Sequence, residues 1–205
     1  MSARRRSDLE QARQELCRIL LRVVRLICPE SPPAPERLPP GGVARPVEVE
    51  DRRFEDLVRD AVAPAGKPSS VVWREADAEV VVHLGRTRVR VRDGLVLVAL
   101  TLECDQTGLA EVVVPFAVGT DERPAGLVAA SETKPRGAEV LVDRWGEAIV
   151  ATAWRALLEA ATAVARARGS DLEGAPLRAG ALVARGGRIA IVPQARHTFE
   201  RVPTR

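Results

Sequence analysis

The residues of this chain that could do chemistry are few and far apart. There are two histidines, His83 and His197, and three cysteines, Cys17, Cys28 and Cys104. A general base or a nucleophile needs a partner within hydrogen-bond reach, and the sequence offers no convincing one. Three irregularly spaced cysteines also argue against a disulfide framework or a zinc site, and no phosphate-binding glycine loop, zinc-protease motif or serine-hydrolase elbow occurs. We therefore expect no catalytic residue, no metal and no cofactor, and favour a protein that is not an enzyme.

A row of arginines is the sharpest charge feature of the globular part. Arg88, Arg90 and Arg92 alternate along a predicted strand, so they should project from one face at steps of about 7 Å. Such a row could bind a phosphate backbone, an anionic surface or an acidic protein, or it could be a solvated strand with Glu79 as cross-strand partner. Because aromatic residues make up only 3% of the chain and none interleaves with these arginines, nucleic acid is the less favoured partner.

The first 28 residues predict a detachable amphipathic helix over residues 7–28. Its apolar positions recur at steps of three and four, and the apolar arc widens towards the C-terminal half. The helix could fold back on its own domain, pair with another chain or with itself, or lie on an anionic membrane surface. The predicted partner-binding residues are Leu9, Leu16, Ile19, Leu20, Val23, Leu26 and Ile27.

Composition limits the class of protein. With 205 residues, 46% hydrophobic and 29% charged, the chain suits one soluble domain plus an appendage. The whole chain has a formal net charge of +3, and residues 1–28 carry seven arginines and three acidic residues, so the remainder is close to neutral at −1. Arginine far outnumbers lysine, which we interpret as the codon bias of a GC-rich bacterial genome.

No uninterrupted run of 18 apolar residues and no signal-peptide cleavage site occurs, so we expect a cytoplasmic protein without a transmembrane segment.

Proline marks the domain boundary. Residues 29–46 are rich in proline and predict a stiff, extended spacer. A single globular domain is expected over residues 47–195, followed by a polar tail at 196–205.

The globular part predicts an α+β fold. A helix should run from an N-cap at Asp51 to residue 63, and a long helix from 145 to 168, capped by Asp143. Between and after them, alternating apolar residues predict strands at 71–75, 79–84, 87–92, 95–103, 111–118, 127–130 and 138–142, with a hairpin of 181–184 and 188–192. We expect an antiparallel meander of about five to seven strands, covered by the long helix of the C-terminal half.

Two dipeptides predict the register of that meander. A turn at Gly85-Arg86 would pair Val82 with Val89, and a turn at Asp93-Gly94 would pair Val91 with Val96. Pro115 suggests that its strand lies at an edge or contains a bulge.

The function predicted from these features is a non-enzymatic protein-interaction or assembly factor that uses the N-terminal helix for oligomerisation or docking. Two alternatives stay open. One is an enzyme or an apolar-ligand-binding protein with a pocket between sheet and long helix, and the other is binding of nucleic acid or an anionic surface through Arg88, Arg90 and Arg92.

Overall fold

The computed structural model describes residues 34–120 and 134–196, together with the backbone at 125–126. The predicted N-terminal helix with all seven of its partner-binding residues, the predicted strand at 127–130, His197 and the tail beyond residue 196 lie outside the described residues. From Pro35 onwards the chain forms one compact unit.

The fold is α+β, as predicted, and is built from ten strands and two helices within the described residues. The strands are β1 (Glu36–Leu38), β2 (Val47–Glu50), β3 (Val71–Glu75), β4 (Ala78–Arg92), β5 (Leu95–Cys104), β6 (Gly108–Ala117), β7 (Ala125–Gly126), β8 (Gly169–Asp171), β9 (Arg178–Arg185) and β10 (Arg188–Gln194), and the helices are α1 (Asp51–Val62) and α2 (Glu139–Arg168). One sheet has the order β3-β4-β5-β6, a second has the order β2-β10-β9-β7, and β1 pairs with β8 in parallel.

The antiparallel meander and the C-terminal hairpin are confirmed. Strands β3 to β6 follow one another in chain order, and the turn at Asp93-Gly94 places Val91 opposite Val96, as predicted. Strand β6 is terminal in this sheet, which agrees with Pro115, since proline cannot donate to a ladder. The hairpin of β9 and β10 turns at residues 186–187.

The predicted turn at Gly85-Arg86 is wrong, because β4 runs straight through it. His83 pairs with Thr101 and Arg88 pairs with Ala99, so five steps along β4 match two steps along β5. The extra residues form a bulge between His83 and Arg88, and the hydroxyl of Thr87 closes it by donating to the carbonyl of Leu84 at 2.7 Å. Consequently Val82 and Val89 share the buried face without lying opposite each other.

The helix starts differ from those predicted. The N-cap of α1 is Glu50, and Asp51 is already in its first turn. Helix α2 begins at Glu139, so the predicted strand at 138–142 is mostly helical and Asp143 lies inside the helix rather than capping it. The physical reason is that Leu141 continues the helical spacing of the buried side chains of Trp145 and Ile149.

Helix α2 covers the inner faces of both sheets. It packs against β9 and β10 and against β5 and β6. By length and mean hydropathy it could also span a membrane, but core helices of folded domains pass the same test. Here its Leu141, Ile149 and Leu157 are fully buried in the main apolar cluster, together with the inner side chains of β4, β5 and β6.

The second half of the predicted spacer lies on the domain. Strand β1 pairs with β8, and the carboxylate of Glu36 forms an ion pair with Arg168 at the end of α2. The N–H of Gly41 donates to the carbonyl of Arg196 at 3.0 Å, and Ala44 is buried in a small second apolar cluster. The hydrogen-bonded structure therefore begins about ten residues before the predicted boundary at residue 47.

The docking of β1 depends on a close approach at Gly169, where a Cβ would overlap the backbone of Glu36. We expect Gly169→Ala to lower the free energy of unfolding by about 1–3 kcal/mol, as overpacking does. Chemical denaturation of the full chain would measure it. The matched control is Gly146→Ala in α2, where a Cβ meets nothing within 4 Å, so that this variant should gain about 0.5–1 kcal/mol. Equal effects of the two substitutions would contradict the role of Gly169.

Candidate functional site

The three predicted arginines lie in a row on the outer face of β4, as the alternation implies. Arg88, Arg90 and Arg92 are exposed, whereas Val89 and Val91 between them are buried. They follow the bulge, which fixes which side of the sheet they occupy. The row is thus held by a strand whose other side is part of the core.

The charges of these arginines are largely unneutralised. A carboxylate oxygen of Glu111 lies 4.0 Å from Arg88, which is too long for a hydrogen bond. Within the part of the chain that the structure describes, Arg90 and Arg92 have no ion-pair partner. The predicted partner Glu79 is paired instead with Arg74 at 2.8 Å, because the strand does not fold back at residue 85.

Apolar side chains adjoin the arginines on the same face. Arg90 lies opposite Leu97 and Arg92 opposite Leu95, and both leucines are only partly buried. We call Arg90, Arg92, Leu95 and Leu97 the basic–apolar face. Guanidinium groups beside partly exposed leucines form a surface that suits an acidic and apolar partner.

Helix α1 supplies an acceptor to the edge of β4. The N–H of Val89 donates to one carboxylate oxygen of Glu55 at 2.9 Å, and the other oxygen accepts from Arg59 at 2.7 Å. An unpaired backbone donor at this edge would be costly, since the site is partly buried. Glu55 therefore fixes the half of β4 that carries the arginines.

The histidine lies beside a carboxylate and not beside an arginine. The bulge separates His83 from Arg88, and the Nε2 of His83 lies 2.9 Å from Oε2 of Glu103. Glu103 is exposed, so this is a surface ion pair when the imidazole is protonated. No nucleophilic side chain among the described residues forms a hydrogen bond with His83.

Cys104 ends β5 and contacts Thr107. Their Sγ and Oγ1 atoms lie 3.3 Å apart. This hydrogen bond lowers the pKa of the Cys104 thiol, while burial opposes the shift. Threonine cannot act as a general base, so the contact activates the thiol only modestly.

The described residues contain no group of three or more His, Cys, Asp or Glu side chains arranged to hold a metal ion. Aromatic side chains contact one another between α2 and the meander. The rings of Trp154 and Phe116 lie 5.6 Å apart, and those of Trp73 and Trp145 lie 6.1 Å apart. These rings occupy part of the space between the sheet and the long helix.

Sequence reasoning did not identify the groove beside the bulge. It lies where β4, β5 and β6 approach α1, and it has a volume of about 510 Å³. Its charged lining includes Arg59, Arg86, Arg88 and Glu111. Arg86 was assigned to a turn, and no local pattern links a residue of α1 to it, so only the bulge in tertiary context brings them together.

Comparison with protein-family models, curated proteins and solved structures finds no match for this chain.

The contact between Glu55 and β4 can be tested by stability. We expect Glu55→Ala to lower the free energy of unfolding by about 1–3 kcal/mol, because it leaves the N–H of Val89 without its acceptor. Asp56→Ala is the matched control, since Asp56 has only an exposed ion pair with Arg59 at 3.3 Å, and it should change stability by less than about 1 kcal/mol. Urea denaturation of both variants would measure the difference, and a loss of the same size in both would contradict the role of Glu55.

Proposed function

We propose that the protein is a non-enzymatic interaction or assembly factor. The observation that supports this most strongly is the basic–apolar face, whose two arginines have no ion-pair partner among the described residues and lie beside partly exposed leucines. Neither His83 nor Cys104 belongs to a catalytic set. A surface of this kind serves recognition better than it serves chemistry.

The partner that suits the basic–apolar face is a protein segment with acidic and apolar side chains. Acidic groups would pair with Arg90 and Arg92, and apolar groups would cover Leu95 and Leu97. Nucleic acid suits this face less well, because the two leucines offer nothing to a phosphate backbone and no aromatic side chain stands there to stack a base.

The N-terminal helix is the second part of the proposal. Its apolar residues Leu16, Ile19 and Val23 repeat with the spacing of a coiled-coil seam, which favours pairing with a second copy or another helix. An isolated helix of this length is marginal in water, so burial of its apolar side chains is what would stabilise it. We propose that it is the oligomerisation or docking element.

The helix can be tested by absolute mass from light scattering. We expect the full chain to be a dimer or larger, and Leu16→Asp combined with Ile19→Asp to give a folded monomer, because a charge in an apolar seam is costly to bury. Gln11→Asp combined with Gln14→Asp adds the same charge on the opposite face and should keep the oligomer.

A second arm of that experiment uses a shortened chain. The truncation should begin at Pro35 and not at Val47, since β1 and the segment after it are hydrogen-bonded to the domain. A full chain that is monomeric at micromolar concentration, or a double aspartate variant that keeps its mass, would contradict self-association.

The basic–apolar face can be tested with a peptide of alternating Glu and Leu. We expect it to bind the full chain, and Arg90→Gln combined with Arg92→Gln to weaken binding at least about tenfold, as loss of two charge-assisted contacts implies. The matched control is Arg52→Gln combined with Arg53→Gln, which removes the same charge from exposed positions of α1 and should leave affinity within about twofold.

Isothermal titration at two salt concentrations would measure these affinities, and binding should weaken as salt rises. Equal losses in the two double variants, or equally tight binding of an alternating Lys and Leu peptide, would contradict the proposed partner chemistry.

A further inference from the structure

The groove beside the bulge of β4, which we call the bulge groove, is distinct from Arg90 and Arg92. Helix α1 contributes Glu55 and Arg59 to it, β4 contributes Arg86 and Arg88, β5 contributes Thr101, and β6 contributes Glu111. Residues from four elements that are distant in sequence thus meet around one open concavity of about 510 Å³.

The charges in the bulge groove are unevenly balanced. Arg59 is already committed, because it pairs with Glu55 at 2.7 Å and with Asp56 at 3.3 Å. Arg86 has no ion pair within the described residues, and the closest carboxylate oxygen recorded for Arg88 is that of Glu111 at 4.0 Å. Two guanidinium groups therefore keep most of their hydrogen-bonding capacity free.

The bulge places these two groups. Bulges redirect side chains that a regular strand would keep in line with its ladder. Arg86 belongs to the bulge itself, and Arg88 is the first residue after it that pairs again with β5. Leu100 has no partner on β4, because the bulge lies between the pairs His83–Thr101 and Arg88–Ala99.

We propose that the bulge groove binds a phosphate monoester. Guanidinium groups donate paired N–H bonds to phosphate oxygens, and a doubly charged phosphate matches two unsatisfied arginines better than the single carboxylate of Glu111 does. The phosphate binds to Arg86 and Arg88, and Thr101 lines the same groove. Glu111 swings away from Arg88, which its exposure permits.

The organic part of the ligand lies over Leu109. This side chain lines the same groove and is 54% exposed, so its apolar surface is available to a bound molecule. Covering it on binding would add apolar contact to the ionic one. A monoester with a small apolar group should therefore bind more tightly than inorganic phosphate.

The test is a titration of the full chain with phenyl phosphate and with inorganic phosphate at constant ionic strength, followed by backbone ¹⁵N NMR. We expect saturable binding of both, tighter for phenyl phosphate, with shifts centred on residues 85–88 and 109–111. Arg86→Gln and Arg88→Gln should each weaken phenyl phosphate binding about tenfold. Arg92→Gln removes the same charge from the same face of β4, away from the groove, and should change affinity less than about twofold.

Two further variants distinguish specific binding in the bulge groove from general electrostatic attraction of anions to the arginines. Glu111→Gln removes the competing carboxylate and should tighten binding of both probes. If either arginine variant fails to fold, this variant still tests the proposal. Leu109→Ser should abolish the preference for phenyl phosphate while leaving inorganic phosphate unaffected. Absence of saturable binding at millimolar probe, an equal loss in Arg92→Gln, or no preference for phenyl phosphate in the unmodified chain would each overturn the proposal.

Discussion

Strand β4 buries Val82 before residue 85 and Val89 and Val91 after it. Val82 is an odd number of residues away from each of the other two. Side chains of a regular strand alternate, so a strand that buries Val82 would also bury Arg86, Arg88, Arg90 and Arg92. Burying four unpaired guanidinium groups is prohibitive. The bulge between His83 and Arg88 inverts the alternation, so that Val89 and Val91 enter the core and the arginines face outwards. The outward direction of Arg88, Arg90 and Arg92 depends on this inversion.

The same bulge leaves β4 with an edge that the rest of the fold must close. Only the first half of β4 pairs with β3. In the half after the bulge, the backbone N–H and C=O groups on that edge need other hydrogen-bond partners. Glu55 of α1 accepts from Val89, and the turn after β4 is tied to the second sheet because the side chain of Asp93 accepts from the N–H of Gly186. Helix α1 and the C-terminal hairpin therefore hold the arginine-bearing strand in place. This rigidity favours recognition, since little order is lost when a partner binds.

Both proposals place function on the surface of the domain. Helix α2 contributes alanine, leucine and tryptophan side chains to the main apolar cluster, whereas the outer face carries Arg90 and Arg92, which have no ion pair among the described residues, beside partly exposed leucines. A basic–apolar face and an adjoining groove with two free guanidinium groups are compatible with one protein that responds to both a protein partner and a small phosphorylated ligand. The two proposals rest on different residues, so each can fail without the other.

The sequence by itself determined the fold class, the turn at Asp93-Gly94 and the outward direction of Arg88, Arg90 and Arg92, because alternation and turn chemistry are local properties. It also predicted the C-terminal hairpin, although both strands are longer than expected, at Arg178–Arg185 rather than 181–184 and Arg188–Gln194 rather than 188–192. It could not decide whether residues 85–86 form a turn or a bulge, because either one puts Val82 and Val89 on the same face of the sheet. Only the pairing of β5 with both halves of β4 distinguishes the two. Nor could it predict that Glu55 would accept a hydrogen bond from β4, that β1 would pair with β8, or that Arg86 and Arg59 would line the same groove. These contacts join residues remote in sequence, and only tertiary packing brings such residues together.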